Sequence, residues 1–455
     1  MSLTISRILH AGYVFESGPT VIAFDPIFEN PFSRNCHAFP DVRFDHAQIR
    51  RQRFDAVFIS HFHDDHCSLD SLDLIERATP IYLYCLFDEL FAMLRALGFT
   101  SVHRLHTNQP VQVGECQVIP REALDADVDS LFQVKAGGMN VLNVVDAWID
   151  PHALALLARQ GQWDMVLWPF QTMREIAVLA PTRADPAPEH LPEDWIEQLT
   201  LLAPRFVVPS SCQFVQEPWS WYNHALFPIT YRQFQQEVEA ALPQARVVRL
   251  NPSVSILLDA DGVHPAPPLA WVLPVGEQDI DYKFDPTLVA PPTADIARHF
   301  RALTAPETQT LVDYCSTGLA RKYAAMELPE ESYFEHPRNW RLSLFDHAGA
   351  VRHFYYRVQG DTICLLDHAP HELGWTTEVA MTKLYAALTQ GESLTSMYMR
   401  INDVVFSPAI EAQVAAADIV DDPLIRCLFD EAFGSYQAAQ LCRLQGRAEV
   451  AGPIL

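Results

Sequence analysis

ISHFHDDHCSL, residues 59–69, is the stretch on which the reading of this chain turns. Three histidines and two aspartates fall between His61 and His66, directly behind DAVFIS (55–60), an apolar run of the kind a strand covered on both faces presents. In extended backbone His61 and His63 point the same way, so two imidazoles can grip one cation. Asp65 and His66 follow where the chain must turn into the helix SLDSLDLIE (68–76), aimed at a second position. Imidazole with carboxylate suits zinc, iron or manganese, and two such ions about 3.5–4 Å apart can share a bridging hydroxide. A polar loop with unrelated histidines is the competing explanation, and it does not account for H-x-H-x-D-H placed behind a buried strand.

Outward from this stretch, strand and helix signals alternate. VIAFDP (21–26) and PIYLYC (80–85) read as strands, and FDELFAMLRALGF (87–99) as a helix stopped by Gly98. SLFQV and NVLNVV flank AGGM, a hairpin with a glycine turn. The alternation continues to about residue 258. Pro-rich sequence then takes over in GVHPAPPLAWVLP (262–274) and DPTLVAPPTA (285–294). The expected domains are therefore 1–262, a linker or crossing over 263–293, and a smaller α+β domain over 294–455. In the last, a helical start gives way to a small antiparallel sheet (RLSLFD, VRHFYYRV, DTICLLD), then to helices around 376–390 and 422–445.

HFHDDH resembles the H-x-H-x-D-H motif of the metallo-β-lactamase superfamily. HAGYVFESGPTVIAFDP (10–26) is similar to the opening hairpin of its ascorbate-lactonase-like and N-acylphosphatidylethanolamine phospholipase branches. The resemblance covers roughly residues 1–258 and implies an α/β fold, an αββα sandwich with the metals at one edge. It makes His61, His63, Asp65 and His66 metal ligands. It also implies an aspartate bridging both metals after a hairpin, and in MNVLNVVDAWID that aspartate is Asp146; Asp150 fits better as the cap of the helix starting near Pro151.

Two ligands depart from that pattern. Where the superfamily has a histidine before the hairpin, this chain has ALDADVDSLF; Asp125 is the nearest match, with Asp127 and Asp129 as competitors and a solvated acidic loop as the alternative. Calcium is excluded there, because Ser130 and Ala136 stand where the loop needs glycine and glutamate. Where a late histidine should follow a strand, RFVVPSSCQF offers Ser210 and Ser211, and His224 in PWSWYNHALFP is the nearest replacement. NVVDAW, PSSCQFVQE and DSLF, in this order, resemble the catalytic part of the CMP-N-acetylneuraminate hydroxylases, a di-iron-type branch. Those proteins normally carry a Rieske module with C-x-H and C-x-x-H pairs, which this chain lacks, so such chemistry would need a separate electron donor of ferredoxin type.

His10 is expected behind the ligands or in packing, and Asp25 to fix the loop behind the metals. ENPFSRNCHAF (29–39) and PWSWY (218–222) are candidates for the pocket rim. DHAPHELGW (367–375) lacks H-E-x-x-H spacing and reads as a turn before a helix, and GESLTSMYMRINDVVF faintly suggests a sterol-carrier-like accessory domain.

The net charge of −25 over 455 residues disfavours nucleic acid as a partner. Nine cysteines without a CxxC pair suit a reducing cytoplasm, and no apolar run approaches the ~20 residues of a membrane span. The leading expectation is a hydrolase in which two divalent metal ions, zinc or iron with manganese as a variant, present a hydroxide to a small-molecule ester, amide, lactone or phosphodiester. Asp65 would hold that hydroxide or carry the leaving-group proton. A di-iron oxygenase is the alternative, a metal-binding scaffold without catalysis the third, and the C-terminal half would shape the pocket or a homo-oligomer interface.

Overall fold

The computed structural model describes residues 2–326, 328, 333–392, 395–415, 417, 423–429 and 434–446. The described residues divide into two compact units: those of 2–173, 188–284 and 440–446, and those of 174–187 and 285–439.

The first unit is an αββα sandwich. One sheet runs in the order Val263–Ala266, Ser255–Asp259, Ser2–Arg7, Tyr13–Ser17, Thr20–Phe24, Ala56–Ile59, Ile81–Leu83, Val102–Arg104. The other runs Arg246–Val247, Phe206–Pro209, Met165–Trp168, Met139–Asn143, Ser130–Ala136, Cys116–Glu122, Val111–Val113. Their facing residues share one core: Ile5, Phe15, Phe24 and Phe58 meet Phe132, Val141, Leu167 and Val208. The Phe24 and Phe132 rings lie 5.2 Å apart across it. Each fully buried side chain of this size contributes roughly 1.5–3 kcal/mol. Ala56–Ile59 is buried at all four residues, as its unbroken apolar run requires.

Helices cover the outer faces because their apolar residues recur on one side. In Asp88–Ala96 these are Leu90, Phe91 and Leu94. In Glu193–Leu202 they are Trp195, Leu199 and Leu202, with Trp195 6.1 Å from Trp168 of the second sheet. The AGGM hairpin turns through Gly137 (φ 58°) and Gly138 (φ 78°), the paired positive values of a two-residue hairpin loop. Part of the Pro-rich stretch is strand: Val263–Ala266 is an edge strand, the place where Pro265 costs no ladder bond.

The second unit carries a five-stranded sheet ordered Thr362–Leu365, Val351–Gln359, Arg338–Phe345, Trp375–Ala380, Arg400–Ile401. The three strands expected there pair antiparallel, and the sheet is mixed because Trp375–Ala380 adds parallel to Arg338–Phe345. The helix expected over 376–390 is corrected accordingly. WTTEVA, rich in β-branched residues, is strand, and the helix is Met381–Gln390. Around 422–445, where helix was expected, the described residues hold Pro423–Arg426 and Ser435–Leu444, with 422 and 430–433 outside them. No described helix is long and apolar enough to cross a membrane.

Candidate metal centre

The sandwich brings together loops that leave the strands of both sheets at one edge. Thr20–Phe24 and Ala56–Ile59 run parallel and end at Asp25 and at Ser60–His66. Met139–Asn143 and Phe206–Pro209, both parallel to Met165–Trp168, end at Asp146 and at Ser210–Cys212. Asp129 enters just before Ser130–Ala136, and His10 sits in the turn between the first two strands. Gly12 is required in that turn, since a Cβ there would lie 2.9 Å from Asp25 O.

Two groups of potential ligand atoms result. His61, His63 and Asp129 form one; His10, Asp65, His66 and Asp146 form the other, with the atoms of each group within 4.8 Å of one another. Asp146 faces both: Oδ2 is 2.9 Å from His66 Nε2, and Oδ1 is 3.9 Å from His61 Nε2. Oδ1 is buried without a hydrogen-bond partner, a cost protein interiors rarely accept. Asp64, between the motif's ligand positions, turns away to accept a hydrogen bond from Ser33 Oγ (2.7 Å).

Asp25 sets the polarity of two histidines. Fully buried, it accepts Ser60 N–H at Oδ1 and Ser60 Oγ–H at Oδ2, both at 2.7 Å. Ser60 Oγ, its proton spent on Asp25, accepts from His61 Nδ1 at 2.9 Å, and His66 Nδ1 donates to Asp25 Oδ2 at 3.1 Å. Both rings are therefore anchored through Nδ1 and turn Nε2 toward Asp146, the nitrogen a metal would take up on displacing any proton it carries. The role expected for Asp25 is the one this geometry describes.

Charge at the site is one-sided. Among the described residues, every ion-pair partner of Asp25, Asp65, Asp129 and Asp146 is a histidine. Burial raises the Asp129 carboxyl to about 6, with Asp146 adding to the rise. Burial acts against the ionised forms of Asp65 and Asp146 as well, but His66 pulls both below the usual carboxylate range. Burial would likewise lower His66, yet Asp146 and Asp65 lift it well above the ordinary histidine value. His61 feels the same two carboxylates less and is held well below that value by burial and by His66 and His63. The cluster is short of positive charge, and its carboxylates draw on histidines, His66 foremost.

Backbone strain concentrates here. His10 (φ 47°), Asp25 (φ 39°), Val145 (φ 64°) and Cys212 (φ 58°) are all left-handed non-glycine residues beside the cluster. Each costs on the order of 1–3 kcal/mol and persists only where the surroundings over-determine it. Val145, β-branched and the least tolerant, is held by Asn143 Oδ1 on its N–H (3.1 Å) and Ser211 Oγ–H on its carbonyl.

Of the residues the sequence singled out, His61, His63, Asp65, His66 and Asp146 come together. Asp125 and His224 do not. Asp129 N–H bonds back to Asp125 O at 2.8 Å, so the acidic run is a tight turn. That turn swings Asp129, four residues on, to the histidines and leaves the Asp125 carboxylate on Asp127 N–H. His224 ends the short 3₁₀ turn Trp221–His224, is exposed, and bonds through Nδ1 to Lys283 O at 2.8 Å. Ser210 and Ser211 are structural: Ser210 Oγ lies 2.8 Å from Tyr13 Oη, and Ser211 holds Val145 O. His10 was expected behind the ligands, and its Nε2 reaches Asp65 Oδ2 at 3.1 Å. Its place in the opening hairpin was legible; the direction of its ring was not.

No family model and no curated protein matches the chain. Similar solved structures include Igni18, a metallo hydrolase from Ignicoccus hospitalis, at 18% identity over 57% of this chain and 99% of that one, TM-score 0.41. CmlA, a diiron β-hydroxylase from Streptomyces venezuelae, matches at 17% over 56% of this chain, TM-score 0.39, and 53% of CmlA is covered. YhfI from Bacillus subtilis, a metallo-β-lactamase fold protein, matches at 12% over 56% and 98%, TM-score 0.38. The αββα sandwich implied by the H-x-H-x-D-H resemblance is the architecture of the first unit, with a His/Asp cluster at one edge of its sheets.

Proposed function

We propose that the first unit is a dinuclear metal-dependent hydrolase of a small-molecule ester, amide, lactone or phosphodiester. The observation that carries this is Asp146, whose two carboxylate oxygens face two separate groups of ligand atoms and whose Oδ1 is buried without a hydrogen-bond partner. His61, His63 and Asp129 would hold one cation, Asp65 and His66 the other, and Asp146 would serve both. Two divalent cations lower the pKa of a shared water to about 7 and polarise a carbonyl or phosphoryl oxygen. Asp65 is the residue to receive and return a proton, being a quarter exposed where His66 is buried.

A cavity of about 390 Å³ supports a small-molecule substrate. Phe39, Tyr282, Gln216, His37, His224 and Lys283 are among its lining residues. Two segments that touch His10 run directly into its walls. Phe32, whose ring is 5.4 Å from His10, leads through Cys36 to the strand His37–Ala38. Cys212, bonded to His10, leads to Phe214–Val215, which pairs with that strand.

One observation favours a second reading. Asp129 makes the His61/His63 position a two-histidine, one-carboxylate set, which suits ferrous iron and oxygen chemistry. Metal analysis of protein purified without added metal, with an optical spectrum, separates the two. Two colourless zincs per chain support the hydrolase; two irons with near-ultraviolet oxo-bridge absorption support an oxygenase fed by a separate electron donor. Protein without metal, and unable to take it up, would leave a scaffold.

A further inference from the structure

His10 and His66 stand with their Nε2 atoms 3.1 Å apart, yet their surroundings give the two rings opposite polarity. His66 Nδ1 faces the Asp25 carboxylate and donates to it, so the nitrogen left to meet a metal is Nε2. His10 Nδ1 instead accepts the Cys212 backbone N–H at 3.1 Å. A ring nitrogen that accepts has no proton, and in neutral imidazole the proton then sits on the other nitrogen. His10 thus turns an N–H, and no lone pair, toward Asp65 Oδ2 at 3.1 Å, with Asp146 Oδ2 at 3.8 Å. To bind a metal through Nε2, His10 would have to give up that proton or break its bond to Cys212.

The bond to Cys212 is built to last. Both of its residues are held in the left-handed region. Arg7, 1% exposed, clamps the two turns together: Nη2 donates to His10 O (2.6 Å) and to Ser210 O (2.9 Å), and Nη1 donates to Leu250 O (2.9 Å). Phe32 closes the outer face of the His10 ring at 5.4 Å.

We propose that His10 is a positioning residue and not a metal ligand: its Nε2–H holds Asp65 Oδ2 and so aims the other oxygen, Oδ1, at the His66 side of the site, from which it lies 3.7 Å. This rests on the dinuclear reading for its consequence, since Asp65 is the residue given the proton there, but not for its geometry. Outer partners of metal-site residues are worth about 10–100-fold in affinity or activity.

The test uses the full chain, with His10→Leu to remove the donor and His10→Gln to keep one. Wild type and both variants should take up the same number of metal ions per chain. On p-nitrophenyl acetate or bis(p-nitrophenyl) phosphate, His10→Leu should lower kcat by about 10–100-fold with KM little changed, and His10→Gln should restore part of it. In ¹⁵N-histidine-labelled wild type, with zinc or without metal, His10 should show a protonated Nε2 and an unprotonated Nδ1. Loss of one metal per chain in either variant, a metal-bound Nε2 signal, or a protonated Nδ1 would overturn the assignment. Wild type that takes up no metal at all would sink the dinuclear reading instead, while the labelled spectrum still decides the polarity of His10.

Discussion

In the first unit the ion-pair partners of Asp25, Asp65, Asp129 and Asp146 are, among the described residues, all histidines, whereas in the second unit Lys383 and Glu392, each with a side chain only 4% exposed, close on one another. The second cluster is complete as it stands: the ammonium meets the carboxylate and lies 5.0 Å from the Phe300 ring. The first is incomplete, with an orphaned Asp146 oxygen, a raised Asp129 and four strained residues around it. A buried group neutralised by its neighbours serves the fold. One that lacks its counter-charge is arranged for something that arrives from outside.

The sharpest way to break this contrast is to remove the ligands. His61→Ala with His63→Ala should eliminate one metal position and all activity with the melting temperature nearly unchanged, because loops at strand ends contribute little to the core. Asp129→Ala should do the same to that position while Asp125→Ala leaves metal content alone. The reverse pattern in a metal assay would show that the turn from 125 to 129 is drawn wrongly.

The closed pair should behave in the opposite way. Lys383→Met leaves Glu392 buried without a partner and should cost roughly 3–5 kcal/mol in a denaturant titration, with metal content intact. Lys383→Met with Glu392→Leu should recover most of that. A single variant as stable as wild type would mean that water reaches Glu392.

Asp25→Asn sits between these extremes. Asparagine tolerates the left-handed backbone there but cannot accept from Ser60 and His66 as a carboxylate does. Metal affinity should fall about 10–100-fold by competition with a chelator, without loss of ligands from the coordination set.

The smallest effect expected belongs to the second unit's surface. Thr304 and Glu307 form a capping box on Ala305–Asp313, and Thr304→Ala should cost about 1 kcal/mol. The hydrogen bond from Arg301, foremost, holds the Glu307 carboxyl down at about 2 against its ordinary 4.5. A depressed carboxylate contributes fully above its unfolded value and loses its contribution as pH falls toward the folded one. The cap should therefore weaken between about pH 4.5 and 2, and a thermal melt of Glu307→Gln against wild type should show the difference between them closing over that window.

What the sequence determined by itself is what lies close together along the chain. Four side chains of metal-ligand type within six residues, behind a run with no polar break, specify both a buried strand and the loop at its end, so the H-x-H-x-D-H stretch could be read without a fold. Asp146 was singled out through the family resemblance, as an aspartate at the end of a strand after a hairpin. The second unit was legible mainly as a class, because WTTEVA followed by a helix former hides a strand inside a helix-like window. Asp125 against Asp129 was undecidable from residue type, since three alternating aspartates offer the same chemistry; a single backbone bond in the turn makes the choice. His224 lies outside the cluster, its ring bonded to a carbonyl 59 residues away. The polarity of His10 is set by an amide 202 positions on, and of His66 by a carboxylate 41 positions back. What a histidine's ring presents depends on what its other nitrogen meets; strand pairing within one sheet brings Asp25 to His66, and the packing of the two sheets brings Cys212 to His10, each at 3.1 Å.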